Sequence, residues 1–131
     1  MPNLDLPILV VDDAKFSSMV VGRTLRKAGY RDVRIANNAT AALDFIEQRP
    51  VSVLIADWLM PEMDGWETIR AIRSDPGLKE LPVMAVTSLA EDVESEKRSR
   101  QEGFDRWEAK LNKERLLEKL AEMLNIKREA G

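Results

Sequence analysis

Short apolar runs bounded by turn residues alternate along the chain with longer stretches of helical period, giving five successive strand–helix pairs. Ile8 to Val11 reads as a first strand. A helix follows from about Lys15, carries Phe16, Met19, Val20 and Arg23 on one face, and stops at Lys27, Ala28 and Gly29. Val33 to Ala36 is a second strand, after which Asn38 caps a helix with Ala42, Phe45 and Ile46 that Pro50 prevents from continuing. Val51 to Ala56 is the third strand. Beyond a loop with Pro61 and Gly65, a helix through Ile69 and Ile72 closes at Ser74, Asp75, Pro76 and Gly77. Val83 to Val86 is the fourth strand, a polar helix from about Glu91 to Glu102 ends at Gly103, and Arg106 to Ala109 is the fifth. Asn112 caps a last helix running to about Asn125.

Alternating strand–helix units imply a parallel sheet with helices on both faces, an α/β fold. Strands buried on both faces read as continuous apolar runs, whereas edge strands alternate. The first, third and fourth runs are continuous; Val33-Arg34-Ile35 and Arg106-Trp107-Glu108-Ala109 alternate and read as edges. The strand order 2-1-3-4-5 satisfies this pattern. It is the flavodoxin-like doubly wound five-stranded arrangement, whose direction of winding reverses between the first and third strands and opens a crevice at their carboxyl ends.

The residues leaving the first strand are Asp12 and Asp13, and Asp57 leaves the third. Three like charges brought together would raise one another's pKa values and destabilise the fold, so a divalent cation is their natural partner. Carboxylate oxygens suit magnesium, which accepts one or two carboxylates plus a phosphate oxygen and keeps several waters. The fourth strand delivers Thr87 and Ser88 to the same edge, and the fifth delivers Lys110. An acidic oxygen nucleophile at Asp57, a magnesium site, a hydroxyl and a lysine are the parts that stabilise a transferring phosphoryl group. The plainer alternatives are that Asp12 and Asp13 cap the first helix and that Asp57 is a strand-end acid bonded to loop amides.

Composition narrows the function classes. The chain has 131 residues, room for one domain, with 44% apolar and 33% charged residues, a globular balance. Twenty basic and 23 acidic residues leave a net charge of −3, with no basic excess for direct nucleic-acid binding. There is no cysteine, hence no disulfide or thiolate site, and no histidine, hence no serine–histidine triad or histidine-based zinc centre. The apolar stretch at Ile8 is too short for a signal or membrane segment, so a soluble, cytoplasmic chain with no membrane partner is expected.

The segments ILVVDD, then Asp57-Trp58-Leu59-Met60-Pro61-Glu62-Met63-Asp64-Gly65, then Val86-Thr87-Ser88, then Lys110 after the fifth strand, taken in order, resemble a response-regulator receiver domain. The resemblance covers about Ile8 to Asn125. It implies that Asp57 accepts a phosphoryl group from the phosphohistidine of a sensor histidine kinase or phosphotransfer protein. Asp12, Asp13 and Asp57, with the backbone carbonyl of Leu59, would hold magnesium, and Thr87 and Lys110 would contact the phosphoryl oxygens. It further implies a switch in which Thr87 moves inward and Trp107 follows, changing the face formed by the fourth helix, fifth strand and fifth helix. The chain would catalyse only its own phosphorylation and slow dephosphorylation, and would signal to a downstream target protein or an output domain.

Three departures from the family pattern bear on this. Leu111 stands where proline commonly follows the lysine, so that bond is expected to be trans. The polar fourth helix has almost no apolar stripe, with Arg100 where leucine is typical, and is expected to pack weakly. Leu59 and Leu89 occupy positions that in the family tune hydrolysis of the aspartyl phosphate; neither side chain orients water, so slow self-dephosphorylation is expected. Two other readings compete: a pseudo-receiver acting as a constitutive protein-binding module, and a magnesium-dependent phosphatase, for which Leu59 replaces the second acid and a substrate cap is lacking. The organisation expected is one domain over 1–131, its core about 8–125, with 126–131 a tail or the start of a linker.

Overall fold

The computed structural model of the chain describes residues 4–12, 14–57, 65–87, 97, 100–101, 103–109 and 113–130. Strands β1 (Ile8–Val11), β2 (Val33–Ala36), β3 (Val53–Asp57), β4 (Val83–Thr87) and β5 (Arg106–Ala109) alternate with helices α1 (Lys15–Lys27), α2 (Ala39–Gln48) and α3 (Gly65–Ser74), and a C-terminal helix spans Lys113–Ala130. The strands form one parallel sheet in the order β2-β1-β3-β4-β5, so the flavodoxin-like order read from strand composition is the observed one.

Local chemistry explains where the elements stop. The Asn38 side chain accepts the Ala41 N–H at 2.7 Å and starts α2. Gly29 ends α1 at φ +105°, and Gly103 adopts φ +117° before β5; both are left-handed conformations that glycine takes without strain. The C-terminal helix continues to Ala130, beyond the expected end near Asn125, because no glycine or proline interrupts Ile126 to Ala130. Strand β3 starts two residues later than expected and takes in Asp57, and β4 takes in Thr87.

The alternation of β-strand side chains divides the core into two layers. Leu9, Val11, Leu54, Ala56, Val83 and Ala85 pack with α2 and α3 on one face of the sheet. Ile8, Val10, Val53, Ile55, Met84 and Val86 pack with α1 and the C-terminal helix on the other. The buried side of α1 is Ser18, Val21, Gly22, Thr24 and Leu25, so the face carrying Phe16, Met19 and Arg23 is the solvent side. Ile35 in edge strand β2 is exposed, although alternation with Arg34 would have placed it inward. Among the described residues no helix is long and apolar enough to cross a membrane.

Candidate functional site

Strand β1 ends at Val11, paired with Ala56 of β3; one step further along both strands stand Asp12 and Asp57. Neighbouring strands lie about 4.8 Å apart, which brings the two carboxylate-bearing residues side by side at the carboxyl edge of the sheet. Alternation carries Asp12 with Val10 and Asp57 with Ile55, both toward the layer covered by α1 and the C-terminal helix. Their relative exposures are only 1% and 4%. Placing two acids this close in so little water concentrates negative potential at the switch point of the sheet.

Asp12 is held from three directions. Its N–H donates to the Ala36 carbonyl at 3.0 Å, extending the β1–β2 ladder by one residue. Its Oδ1 accepts the Ala14 N–H at 2.9 Å, forming the turn that leads into α1. Its carbonyl accepts Nδ2 of Asn37 at 3.0 Å. The capping alternative is thus partly realised, since Asp12 satisfies the amide of Ala14, the residue that stands at the N-cap and contributes no capping side chain. One carboxylate oxygen of Asp12 is thereby fixed in the turn, on a backbone held at both its N–H and its carbonyl. Hard, buried carboxylate oxygens from two adjacent strand ends are a donor set that suits magnesium.

Thr87 ends β4, one residue beyond Val86, which lies in register with Asp57, and it pairs with Ala109 of β5. Trp107 lies in β5 opposite Ala85. The strands therefore bring the backbones of Asp12, Asp57 and Thr87 to one edge. Asp13, Leu59 and Lys110 lie outside the described residues, as do Trp58, Ser88, Leu89, Leu111, Asn112 and most of the polar helix, and so do the side chains of Thr87 and Trp107. Among the described residues no three acids gather into a cation-binding group, and the third acid expected here, Asp13, is not one of them.

Two features of this region were not read from the sequence. Asn37 links Asp12 to α1 by also approaching Ser18 Oγ at 3.5 Å; its position directly after β2 was the available signal. Glu108 was read as the polar side of an alternating edge strand. It is instead 3% exposed, beneath the C-terminal helix, where Oε1 meets Lys119 Nζ at 2.8 Å. Arg106, two residues earlier on the same side of β5, approaches Glu122 of that helix at 3.8 Å.

Comparison with known proteins adds to this geometry. The model of the family described as "Response regulator receiver domain" matches residues 8–122. The chemotaxis protein CheY1 of Helicobacter pylori is 36% identical over 84 residues, 63% of this chain and 68% of that protein. The chemotaxis protein CheY of Pseudomonas aeruginosa is 36% identical over 85 residues, 65% of this chain and 68% of that protein. Among solved structures, the Vibrio cholerae chemotaxis protein CheY4 superimposes with a TM-score of 0.82 at 30% identity, covering 92% of this chain and 99% of that one. A CheY-like receiver domain protein from Methanospirillum hungatei gives 0.82 at 29% identity, covering 97% and 99%.

Proposed function

The chain belongs to the response-regulator receiver domain family of two-component signalling, and on that premise we propose that it is a phosphoacceptor switch charged at Asp57. The observation that carries this reading is the pair of buried carboxylates, Asp12 and Asp57, at neighbouring strand ends on one face of the sheet. The donor is a phosphohistidine of a sensor histidine kinase or phosphotransfer protein. An Asp57 carboxylate oxygen attacks phosphorus, the P–N bond breaks, and the imidazole leaves with its electron pair and takes up a proton.

Asp12, Asp13, Asp57 and the Leu59 carbonyl would hold magnesium, which would supply charge neutralisation for the incoming phosphoryl group. Asp12, fixed by Ala14 and Asn37, presents its carboxylate without reorganisation. Thr87 and Lys110 donate to the phosphoryl oxygens. Thr87 and Trp107 then shift the surface of the polar helix, β5 and the C-terminal helix for a downstream target or output domain. The chain catalyses its own phosphorylation and a slow dephosphorylation, in which water attacks phosphorus and returns free carboxylate and inorganic phosphate; leucines at 59 and 89 leave that water unoriented.

The test is intact mass after incubation with magnesium and acetyl phosphate. One phosphoryl adduct is expected, absent from Asp57→Asn and absent in chelator. No adduct and no phosphate release would overturn the switch in favour of a constitutive binding module; continuous phosphate release without adduct would make the chain a phosphatase.

A further inference from the structure

The last register pair of β1 and β2 is Val11 with Ala36, yet the two strands hold each other for one residue more. The Asp12 N–H donates to the Ala36 carbonyl at 3.0 Å, and the Asp12 carbonyl accepts Nδ2 of Asn37 at 3.0 Å. A continuing parallel ladder would offer that carbonyl a main-chain N–H two residues beyond Ala36. There the chain turns into α2, with Asn38 as its N-cap, and it is the carboxamide of Asn37 that makes the bond. The same Nδ2 comes within 3.5 Å of Ser18 Oγ, which is buried and donates to the Lys15 carbonyl at 3.0 Å. The ends of β1 and β2 and the first turn of α1 thus meet at one amide. A carbonyl accepts and never donates, so neither an aspartate nor an aliphatic side chain at position 37 would make this bond.

The carboxylate pair explains why a brace matters at this point. Asp12 and Asp57 are buried at adjacent strand ends, where like charges in so little water repel. Asp57 still lies inside β3 and pairs with Val86 of β4, whereas Asp12 stands one residue past the end of β1. The exit of β1 is therefore the side that yields. Three bonds oppose its yielding: those of the Asp12 backbone to Ala36 and Asn37, and that of Oδ1 to the Ala14 N–H. Of the three partners, Ala36 and Ala14 act through their backbones, and Asn37 alone acts through its side chain.

We propose that Asn37 is a positioning residue for the cation: acting through Asp12, it clamps the exit of β1 against the repulsion of the carboxylate pair and so sets the magnesium affinity of the site. The proposal rests on the phosphoacceptor reading and deepens it. Its energetic signature differs from that of an ordinary structural hydrogen bond. Without the clamp the folded chain loses one bond but lets the two acids separate, so its stability in the absence of metal scarcely changes. A cation must then draw Asp12 back, and the whole loss falls on its affinity. Groups that orient metal ligands from behind are typically worth about ten- to a hundredfold in metal affinity.

The test uses the full chain and magnesium alone, with affinity read from tryptophan fluorescence, since Trp58 directly follows Asp57, and from the rise of the thermal midpoint with magnesium. Asn37→Ala and Asn37→Leu, which remove the donor, should each weaken magnesium binding about tenfold. Asn38→Ala is the control. It removes the 2.7 Å cap of α2 from the next residue, and should lower the midpoint in chelator by about 4 °C while keeping magnesium affinity within about twofold of the parent. The Asn37 variants should lose less than that in chelator, position 37 being exposed. Given acetyl phosphate, they should form the adduct slowly at limiting magnesium and at the parent's rate in saturating magnesium, a split that general loosening would not produce. Parental magnesium affinity in the Asn37 variants, an equal loss of affinity in Asn38→Ala, or a rate deficit that saturating magnesium does not repair would overturn the proposal and leave the phosphoacceptor reading standing. A parent chain that neither responds to magnesium nor forms the adduct would overturn both.

Discussion

Tyr30 is the chain's only tyrosine and packs under the core at 4% exposure, where burial pushes its phenol above the ordinary 10.0. The unfolded chain releases this proton first, so the folded state holds more protons above pH about 10 and loses stability as pH rises through that window. The tyrosinate absorbance of the native chain is therefore expected to titrate above 10.0, and denaturant midpoints should fall over the same range. Tyr30→Phe should remove that part of the alkaline decline; a native titration at the ordinary value would contradict the burial argument. Leu25 makes a simpler case: fully buried on the inner side of α1, its truncation to alanine should cost about 2–5 kcal/mol in chemical denaturation. Phe16→Ala, on the outer side of the same helix, should cost less than about 0.5 kcal/mol.

Between elements, the attachment of β5 to the C-terminal helix rests on charge as well as on apolar contact. Glu108 is buried, and Lys119 of the helix is its cation at 2.8 Å. Removing the lysine leaves a carboxylate in a poorly hydrated place, so Lys119→Met is expected to destabilise by roughly 3 kcal/mol, whereas Glu108→Leu with Lys119→Met should recover most of that loss. Urea unfolding of both variants decides it: equal stability of the two would show that the buried charge imposes no cost. This pair also marks a limit of reading elements from pattern. The alternation Arg106-Trp107-Glu108-Ala109 is real, but period alone does not say which parity faces a helix, and the buried glutamate is met by a lysine eleven residues on. The same ambiguity applies to α1. Two stripes run along it, and the one with more obvious apolar residues, Phe16 and Met19, faces out, while the stripe containing Ser18 and Gly22 faces the sheet. Helix caps and stops were legible because they are local: Asn38, Gly29 and Gly103 act through their own backbone.

At the scale of the whole molecule, the strand order followed from which runs were continuously apolar, and that order alone brings the ends of β1 and β3 together. Asp12 and Asp57 were legible for this reason, whereas Asn37 was not, since its role depends on the chain returning beside Asp12. The consequence is a fold whose stability is coupled to its site. Two buried carboxylates at adjacent strand ends repel each other in the folded state and scarcely at all in the unfolded chain. A cation that binds only the folded pair adds RT ln(1 + [L]/Kd), about 2.7 kcal/mol at a hundredfold excess over Kd. For a domain of this length that corresponds to roughly 10 °C in Tm. Magnesium is thus expected to raise Tm relative to chelator in the parent chain. Asp57→Asn removes that pairwise repulsion, so it should be more stable than the parent in chelator and gain little from magnesium. Scanning calorimetry of the two chains in both buffers tests the coupling, and an equal magnesium increment in both would place the cation somewhere other than this pair.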